Sequence, residues 1–167
     1  MTASSSELPP LREVIRAHEL RAEKSLGQNF LLDQNITDKI VRLSGSMEGI
    51  HAVEIGPGPG GLTRAILDSK AAQLVAVEFD PRAVRAMGDL VTHYGAERFS
   101  VVQADALTID PRSLVPAPRA VLSNLPYNIS TVLLLKWLEH IRADAGSYTF
   151  LSLMFQKEVA DRILAEP

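Results

Sequence analysis

The sequence predicts an α/β fold in which a doubly wound, mostly parallel β-sheet is covered by helices on both faces. From residue 51 onward, short and nearly continuous apolar segments alternate with helical segments, which is typical of buried parallel strands joined by helices. Right-handed crossovers place such helices on both faces of the sheet. A chain of 167 residues, 46% hydrophobic and 22% charged, is long enough for one domain with a substantial core.

Two helices are predicted before the first strand. The first spans residues 8–19 and opens with Pro9 and Pro10, which a helix tolerates in its first turn. The second spans residues 35–43 and places Ile36, Ile40 and Leu43 on one face. Residues 1–7 lack the basic-then-apolar pattern of a signal peptide, and we expect them to be a flexible lead-in.

Five strands and four helices are predicted after these, three of the helices between strands and one after the last strand. Asp80 and Pro81 supply an N-cap and a first-turn proline for one of the helices, and residues 111–118 are predicted to be a loop. The sequence stops directly after a helix, so we expect the last strands of the sheet to be missing and its edge to be exposed. The predicted strands are 52–55, 74–77, 99–102, 120–123 and 148–154, and the helices are 62–67, 80–93, 131–141 and 158–164.

Composition excludes several classes of protein. Without cysteine, the chain has no disulfide or thiolate metal site, and its four histidines lack metal-ligand spacing. No segment approaches the ~20 apolar residues of a membrane span, so we expect a cytoplasmic protein. The net charge of −3 does not indicate a nucleic-acid binder. Glutamates are interleaved with Arg12, Arg16, Arg21 and Lys24, and this segment is either a solvated mixed-charge helix or an RNA-contacting face.

A glycine-rich loop follows the first strand and has several interpretations. Gly56, Gly58 and Gly61 satisfy the GxGxxG pattern, and Glu78 ends the next strand, as in a dinucleotide-binding domain. A tight turn without a ligand is a further alternative. Pro57 and Pro59 have no N–H, so the loop offers fewer donors to a pyrophosphate than a dinucleotide loop does.

Carboxylates near this loop favour a different ligand. Glu54 precedes the loop and repels phosphate, but it would attract a cationic ligand such as S-adenosylmethionine, which carries a sulfonium, an ammonium and a ribose diol. Asp105 follows the third strand, and the carboxyl ends of parallel strands share one crevice. Asp105 could accept a hydrogen bond from an adenine amine, although an aspartate alone in this position is more often a helix cap.

The segment Asn124-Leu125-Pro126-Tyr127 ends the fourth strand and is the most specific feature of the chain. An exocyclic amine of a nucleobase is a poor nucleophile, and acceptors on its N–H bonds would orient it toward a methyl group. The Asn124 side-chain oxygen and the Leu125 carbonyl could be those acceptors, with Pro126 stiffening the turn. Tyr127 offers a face on which an extruded base could stack. This chemistry needs no metal.

Four segments together resemble the ribosomal RNA adenine N6,N6-dimethyltransferases, in family order and spacing from about Lys24 to Leu164. Relatives that modify 23S rRNA and confer macrolide resistance share the Asn-Leu/Ile-Pro-Tyr motif, but Gly27 and the last segment look more like the bacterial small-subunit type. The segments are 27–31 (GQNFL), 53–58 (VEIGPG), 124–130 (NLPYNIS) and 156–159 (QKEV).

The resemblance implies a Rossmann-like class I methyltransferase fold with S-adenosyl-L-methionine as cofactor. It implies that Glu78 binds the ribose, that Asp105 binds the adenine, and that Asn124 lies between the cofactor and the target base. Phe155 would help to hold the flipped adenine. The further cofactor-binding residues are Gln28, Asn29, Leu31, Glu54, Gly56, Gly58 and Ala106.

The implied activity is dimethylation of two adjacent adenosines near the 3′ end of 16S rRNA, with the immature small ribosomal subunit as partner. We expect a monomer with residues 1–23 as a flexible N-terminus with a short helix and residues 24–167 as an incomplete cofactor-binding core. We expect the helical C-terminal domain of the family to be absent and this chain to be impaired in methylation. The alternatives are a 23S rRNA methyltransferase of the macrolide-resistance type and a non-catalytic ribosome-assembly or RNA-binding factor.

Overall fold

A computed structural model describes residues 7–22 and 30–166, and these residues form a five-stranded parallel sheet flanked by helices. The strands are β1 His51–Ile55, β2 Gln73–Glu78, β3 Phe99–Gln103, β4 Arg119–Asn124 and β5 Phe150–Met154. They lie in the order β3-β2-β1-β4-β5, and every neighbouring pair is parallel. The predicted doubly wound parallel sheet is therefore confirmed, and the order in which successive strands are added to the sheet reverses between β1 and β4.

Helices connect and cover these strands. They are α1 Leu11–Ala17, α2 Gln34–Ser44, α3 Gly61–Leu67, α4 Pro81–Ala86, α5 Gly88–Tyr94, α6 Pro111–Leu114, α7 Tyr127–Ala143 and α8 Lys157–Leu164, with a 3₁₀ turn at Ala106–Thr108. Aspartates begin several of them because a carboxylate accepts a hydrogen bond from an otherwise unpaired N–H of the first turn. Asp33, Asp80 and Asp110 each accept such a bond from the residue two positions ahead.

The core consists of one apolar layer on each face of the sheet. Successive strand residues point to opposite faces, so Ala52 and Leu74 enter one layer, whereas Val53 and Val75 enter the other. The first layer also contains Ile66 from α3, Leu90 from α5 and Phe99 from β3. The second contains Leu133 and Trp137 from α7, both 1% exposed or less.

The N-terminal helix is fixed to the same sheet by buried side chains and by arginines. Val14 and Leu20 are buried in the first core layer. The Arg64 guanidinium of α3 donates to the Pro9 carbonyl at 2.7 Å, and Arg82 of α4 donates to the Glu19 carbonyl at 3.2 Å. α1 therefore packs against the helices that follow β1 and β2.

Several predicted boundaries are wrong, each for a local reason. α1 begins at Leu11 and not at residue 8, because Pro10 is extended (φ −55°, ψ 144°) and caps the helix. The helix predicted for 80–93 divides at Met87, whose N–H is shared between the carbonyls of Ala83 and Val84. The loop predicted for 111–118 contains the short helix α6, which Asp110 caps.

Two further elements begin elsewhere than predicted. α7 begins at Tyr127, four residues early, because the extended Pro126 can cap the helix directly. β5 begins at Phe150 and not at Tyr148, because Ser147 closes a turn by donating its N–H to the Asp144 carbonyl. Within the described residues β5 pairs only with β4, so its outer edge is unpaired. No side chain of α8 is buried.

Candidate active site

A cavity of about 370 Å³ lies at the carboxyl ends of the strands, within the range of roughly 300–1,000 Å³ typical of ligand pockets. The paired register of β1 and β4 ends at Val53 and Val121. Beyond it, the buried Ser123 hydroxyl donates to the Ile55 carbonyl at 2.6 Å, where a backbone partner is missing. The cavity therefore opens at the point where strand order reverses, which is where doubly wound sheets bind ligands.

The glycine loop forms one wall of the cavity and uses its own backbone donors. The Gly56 N–H donates to the Val77 carbonyl, and the Gly60 N–H donates to the Pro57 carbonyl. The Gly58 N–H faces the Glu78 carboxylate at 3.3 Å. With Pro57 and Pro59 lacking an N–H, the loop has few donors left for a phosphate.

Three glycines of this loop have backbone conformations that other residues rarely adopt. Gly56 has φ +66°, Gly58 has φ +54° and Gly60 has φ +98°, all in the left-handed region. A β-carbon on Gly58 would lie 3.2 Å from the Phe30 ring, and one on Gly56 would lie 3.8 Å from Pro126. The loop therefore approaches both the N-terminal segment and the start of α7.

Glu54 lies at the floor of the cavity and is almost fully buried, with 2% of its surface exposed. The Thr63 hydroxyl donates to its Oε2 at 2.6 Å. Burial raises the pKa of Glu54 to about 8 against that hydrogen bond, and the nearby Glu78 contributes in the same direction. Burial therefore favours the neutral form of this carboxyl, and the attraction of a cationic ligand by Glu54 stays a prediction.

Glu78 ends β2, and backbone donors fix its carboxylate in position. Its Oε1 accepts from the N–H groups of Phe79 and Asp80 at 2.8 and 2.9 Å, while Oε2 faces Gly58. Burial raises the pKa of Glu78, and these hydrogen bonds oppose the increase. The carboxylate is thus an oriented acceptor at the cavity wall.

Asp105 caps a turn and also lines the cavity, so its role toward an adenine stays a prediction. Its Oδ1 accepts from the Leu107 N–H at 2.9 Å, which caps the 3₁₀ turn. The side chain is exposed and also lines the cavity, as does Ala106. Among the described residues, Oδ2 has no hydrogen-bond partner, so it can accept from a ligand amine.

The Asn124–Tyr127 segment lies opposite the glycine loop, at the end of β4. Asn124 and Pro126 line the cavity, and so do Asn128 and Ile129 from the first turn of α7. The Leu125 side chain is buried in the second core layer, which holds the segment in place. The predicted acceptor is the Leu125 carbonyl, so this burial is compatible with the prediction.

Most of the predicted site residues lie together around this cavity, and some do not. Tyr127 is half-buried outside the lining, and Phe155 packs partly buried against the second core layer. Gln28 and Asn29 lie outside the described residues. Those that line the cavity are Leu31, Glu54, Gly56, Gly58, Glu78, Asp105, Ala106, Asn124 and Pro126.

The sequence prediction omitted two aromatic residues. Phe30 lines the cavity against Gly58, and Phe79 lines it directly after Glu78 with 73% of its surface exposed. The position of Phe79 directly after the acidic end of a predicted strand was a usable signal, because the carboxyl ends of parallel strands border the ligand crevice of such sheets. Leu107 was also omitted, since its position depends on a 3₁₀ turn that the pattern does not predict.

The described residues contain neither a metal-binding cluster nor a membrane-spanning helix. Residues 7–22 and 30–166 contain no group of three or more acidic or histidine side chains that could hold a metal ion. No helix in the same part of the chain has the length and apolar character needed to cross a membrane.

Comparison with curated proteins gives a high similarity over nearly the whole chain. The Methylobacterium radiotolerans protein named ribosomal RNA small subunit methyltransferase A is 52% identical over 161 residues, covering 96% of this chain and 54% of the relative. The chain thus spans about half the length of the curated relatives it matches. The Paracoccus denitrificans protein of the same name is 51% identical, with 96% and 56% coverage.

Solved structures share the fold. A dimethyladenosine transferase from Plasmodium falciparum superposes with a TM-score of 0.67 at 28% identity, covering 83% of this chain and 47% of that one. The 23S rRNA methyltransferase ErmE gives 0.66 at 29% identity, with 80% and 50% coverage. An RNA methyltransferase from Salinibacter ruber, solved with S-adenosyl-L-homocysteine, has the same fold at 20% identity, with a TM-score of 0.55 and coverage of 75% and 72%.

A family model gives the most direct assignment. The model described as ribosomal RNA adenine dimethylase matches residues 19–167, which include every strand of the sheet and all the described residues of the cavity. Sequence identity, fold and family model agree. The chain belongs to the ribosomal RNA adenine dimethylase family.

Proposed function

We propose that this chain is the cofactor-binding core of a cytoplasmic, monomeric enzyme that dimethylates N6 of two adjacent adenosines near the 3′ end of 16S rRNA. The observation that carries the proposal is that Asn124 and Pro126 line the same cavity as Glu78 and Asp105. A base-orienting motif and two ligand acceptors therefore face one space. Relatives 52% identical and named small subunit methyltransferase A support the choice of RNA.

The residues present fit S-adenosylmethionine better than a dinucleotide. Glu78 is an oriented acceptor suited to a ribose diol, and Asp105 Oδ2 is suited to the adenine amine. The glycine loop lets a ligand approach its backbone but has few donors for a pyrophosphate. When bound, S-adenosylmethionine supplies an electrophilic methyl group on a sulfonium.

Asn124 would orient the target amine. Its side-chain oxygen accepts one N6 hydrogen and the Leu125 carbonyl accepts the other, so the nitrogen lone pair points into the cavity. Methyl transfer forms the N6–carbon bond, breaks the sulfur–carbon bond and releases the N6 proton to water. The extended Pro126 and the buried Leu125 hold this segment rigid.

The proposal is tested by methyl transfer to small ribosomal subunits that lack the modification. Because the chain spans 54% of the Methylobacterium relative, it is assayed alone and joined to the C-terminal half of that relative. Mass spectrometry of the digested RNA should find dimethyladenosine at the two adjacent positions with the joined protein. In that background N124A should lower the rate at least 100-fold, because the amine loses an orienting acceptor.

Calorimetry with S-adenosylhomocysteine gives the control for N124A. The variant should keep its affinity within about threefold if Asn124 acts chiefly on the amine. Methylation of 23S rRNA in place of 16S rRNA would support the macrolide-resistance alternative. An N124A rate equal to that of the parent would contradict the assigned role.

A further inference from the structure

Lys136 connects α7 to the turn that carries Asp105. Its Nζ donates to the Leu107 carbonyl at 3.1 Å and to the Ile109 carbonyl at 2.9 Å. The lysine is half-buried and lies about two helical turns beyond the cavity-lining Asn128. One ammonium group therefore binds the carbonyl of the middle residue of the 3₁₀ turn and the carbonyl of the residue that follows the turn.

The turn is also held by its own short-range bonds and by Ala106 and Ile109, which pack partly buried against the second core layer. The Thr108 N–H and hydroxyl donate to the Asp105 carbonyl at 3.0 and 2.8 Å, and Asp105 Oδ1 accepts from Leu107. Such short 3₁₀ segments have poor hydrogen-bond geometry. Leu107 is 40% exposed, so core packing contributes little to its position.

Leu107 is the residue that joins Lys136 to Asp105. Its carbonyl accepts from Lys136, and its N–H donates to Asp105 Oδ1. The orientation of the carboxylate, and with it the direction of Oδ2, depends on where the Leu107 N–H lies. Hydrogen bonds from a charged donor are stronger than neutral ones, so Lys136 is suited to fix the Leu107 carbonyl and, through the Leu107 backbone, this N–H.

We propose that Lys136 is a positioning residue that holds Asp105 in the orientation needed to read the adenine amine of the cofactor. The inference rests on the proposed function, because it takes adenine as the group facing Asp105. The same helix begins at the Asn124–Tyr127 segment, so α7 contacts both the base-orienting motif and the adenine-reading turn. Lys136 thereby sets selectivity for adenine over a purine without the 6-amino group.

The first test needs no ligand. Amide hydrogen exchange across residues 106–109 is compared in the parent, K136M, K136R and K157M. K136M keeps the aliphatic stem but no donor, and exchange of this segment should accelerate about tenfold or more. K136R keeps two donors and should restore most of the protection. K157M removes an exposed lysine paired with Asp161 and should match the parent.

The second test measures selectivity by calorimetry with S-adenosylhomocysteine and with S-inosylhomocysteine, whose purine has an oxygen in place of the 6-amino group. The parent should prefer the adenine compound at least tenfold, and K136M should reduce that preference to threefold or less. A lysine that only stabilised the fold would weaken both ligands equally and leave the ratio unchanged.

The outcomes separate the two proposals. Unchanged exchange or an unchanged affinity ratio in K136M would overturn the role of Lys136 while leaving the cofactor site intact. A parent that binds neither nucleoside would refute the proposed cofactor site, and it would overturn adenine selectivity with it. The exchange result would then show only whether Lys136 holds the turn.

Discussion

Glu54 is a single residue that both lines the cavity and is buried as an ionisable group. It lies beside the glycine loop, where a ligand must approach, but its carboxyl is buried and bonded to Thr63. The unfolded chain releases this proton near pH 4.5, whereas the folded chain keeps it until about pH 8. The folded state thus binds more protons over this window, and stability must fall as pH rises through it.

E54Q should remove this dependence. Between pH 5 and pH 8 the unfolding free energy of the parent should fall relative to that of E54Q, by at most about 1.4 kcal/mol per pH unit. Glutamine keeps an oxygen that can accept from Thr63. Urea denaturation at four pH values gives the two curves, and their difference reports the titration of Glu54 together with its electrostatic coupling to Glu78.

Glu97→Gln is the matched control, because that glutamate is exposed. Its curve should follow that of the parent. A parent–E54Q difference that stays constant from pH 5 to pH 8 would mean that Glu54 does not hold its proton in the folded chain.

The location of site residues could be predicted from the sequence where a residue directly follows a predicted strand. Glu78, Asp105 and Asn124 each follow an apolar strand, and parallel strands bring their ends together. The protonation of Glu54 was not predictable, because it depends on how completely neighbouring elements bury it. The two roles of Asp105, cap and cavity acceptor, required the position of each carboxylate oxygen.

At the scale of elements, the divergence of β1 from β4 creates the cavity. A sheet that stayed paired to its end would close this space. The Ser123 hydroxyl compensates by donating to the buried Ile55 carbonyl at 2.6 Å. A side chain here replaces the backbone donor that the divergence removes.

S123A should destabilise the chain by about 1–3 kcal/mol, because it leaves a buried carbonyl without a partner. S113A removes a hydroxyl that also donates to a carbonyl, that of Asp110 at 2.7 Å, but at an exposed site. Its cost should stay within about 0.5 kcal/mol. Urea denaturation of both variants makes the comparison, and equal costs would show that the Ser123 bond does not bridge the strands.

The sequence predicted most helices and strands correctly, but it predicted their first and last residues less well. Strands of five or six residues are visible because at least half of the residues in each one are apolar and turn or loop residues bound them. The short helix α6 has too few residues for a periodic pattern, and only Asp110 and Pro111 indicate its start. The early start of α7 follows from Pro126, whose effect depends on its conformation.

At the scale of the whole molecule, the cavity is lined by residues from position 30 to position 129. A ligand there contacts segments from most of the chain and must stabilise the fold by mass action. S-adenosylhomocysteine at about 100 times its dissociation constant should add about 2.7 kcal/mol and raise the melting temperature by roughly 5–10 °C.

Scanning fluorimetry measures this melting temperature. In that experiment NAD should not raise the melting temperature, because the glycine loop has few donors for a pyrophosphate. E78Q should lose most of the shift, because a ribose diol would face a neutral acceptor. An NAD shift equal to that of S-adenosylhomocysteine would contradict the ligand assignment.

Sheet order has a consequence for the sequence of events in folding. β1 lies at the centre of the sheet beside both β2 and β4. Along the chain, however, β4 follows β1 only after the whole of β2 and β3. Closing so long a loop costs chain entropy before any contact rewards it. During synthesis on the ribosome, β1, β2 and β3 can associate first. The side of the cavity that Asn124 lines forms only when β4 pairs with β1. We therefore expect ligand-binding competence to be acquired late, after most of the first core layer has formed.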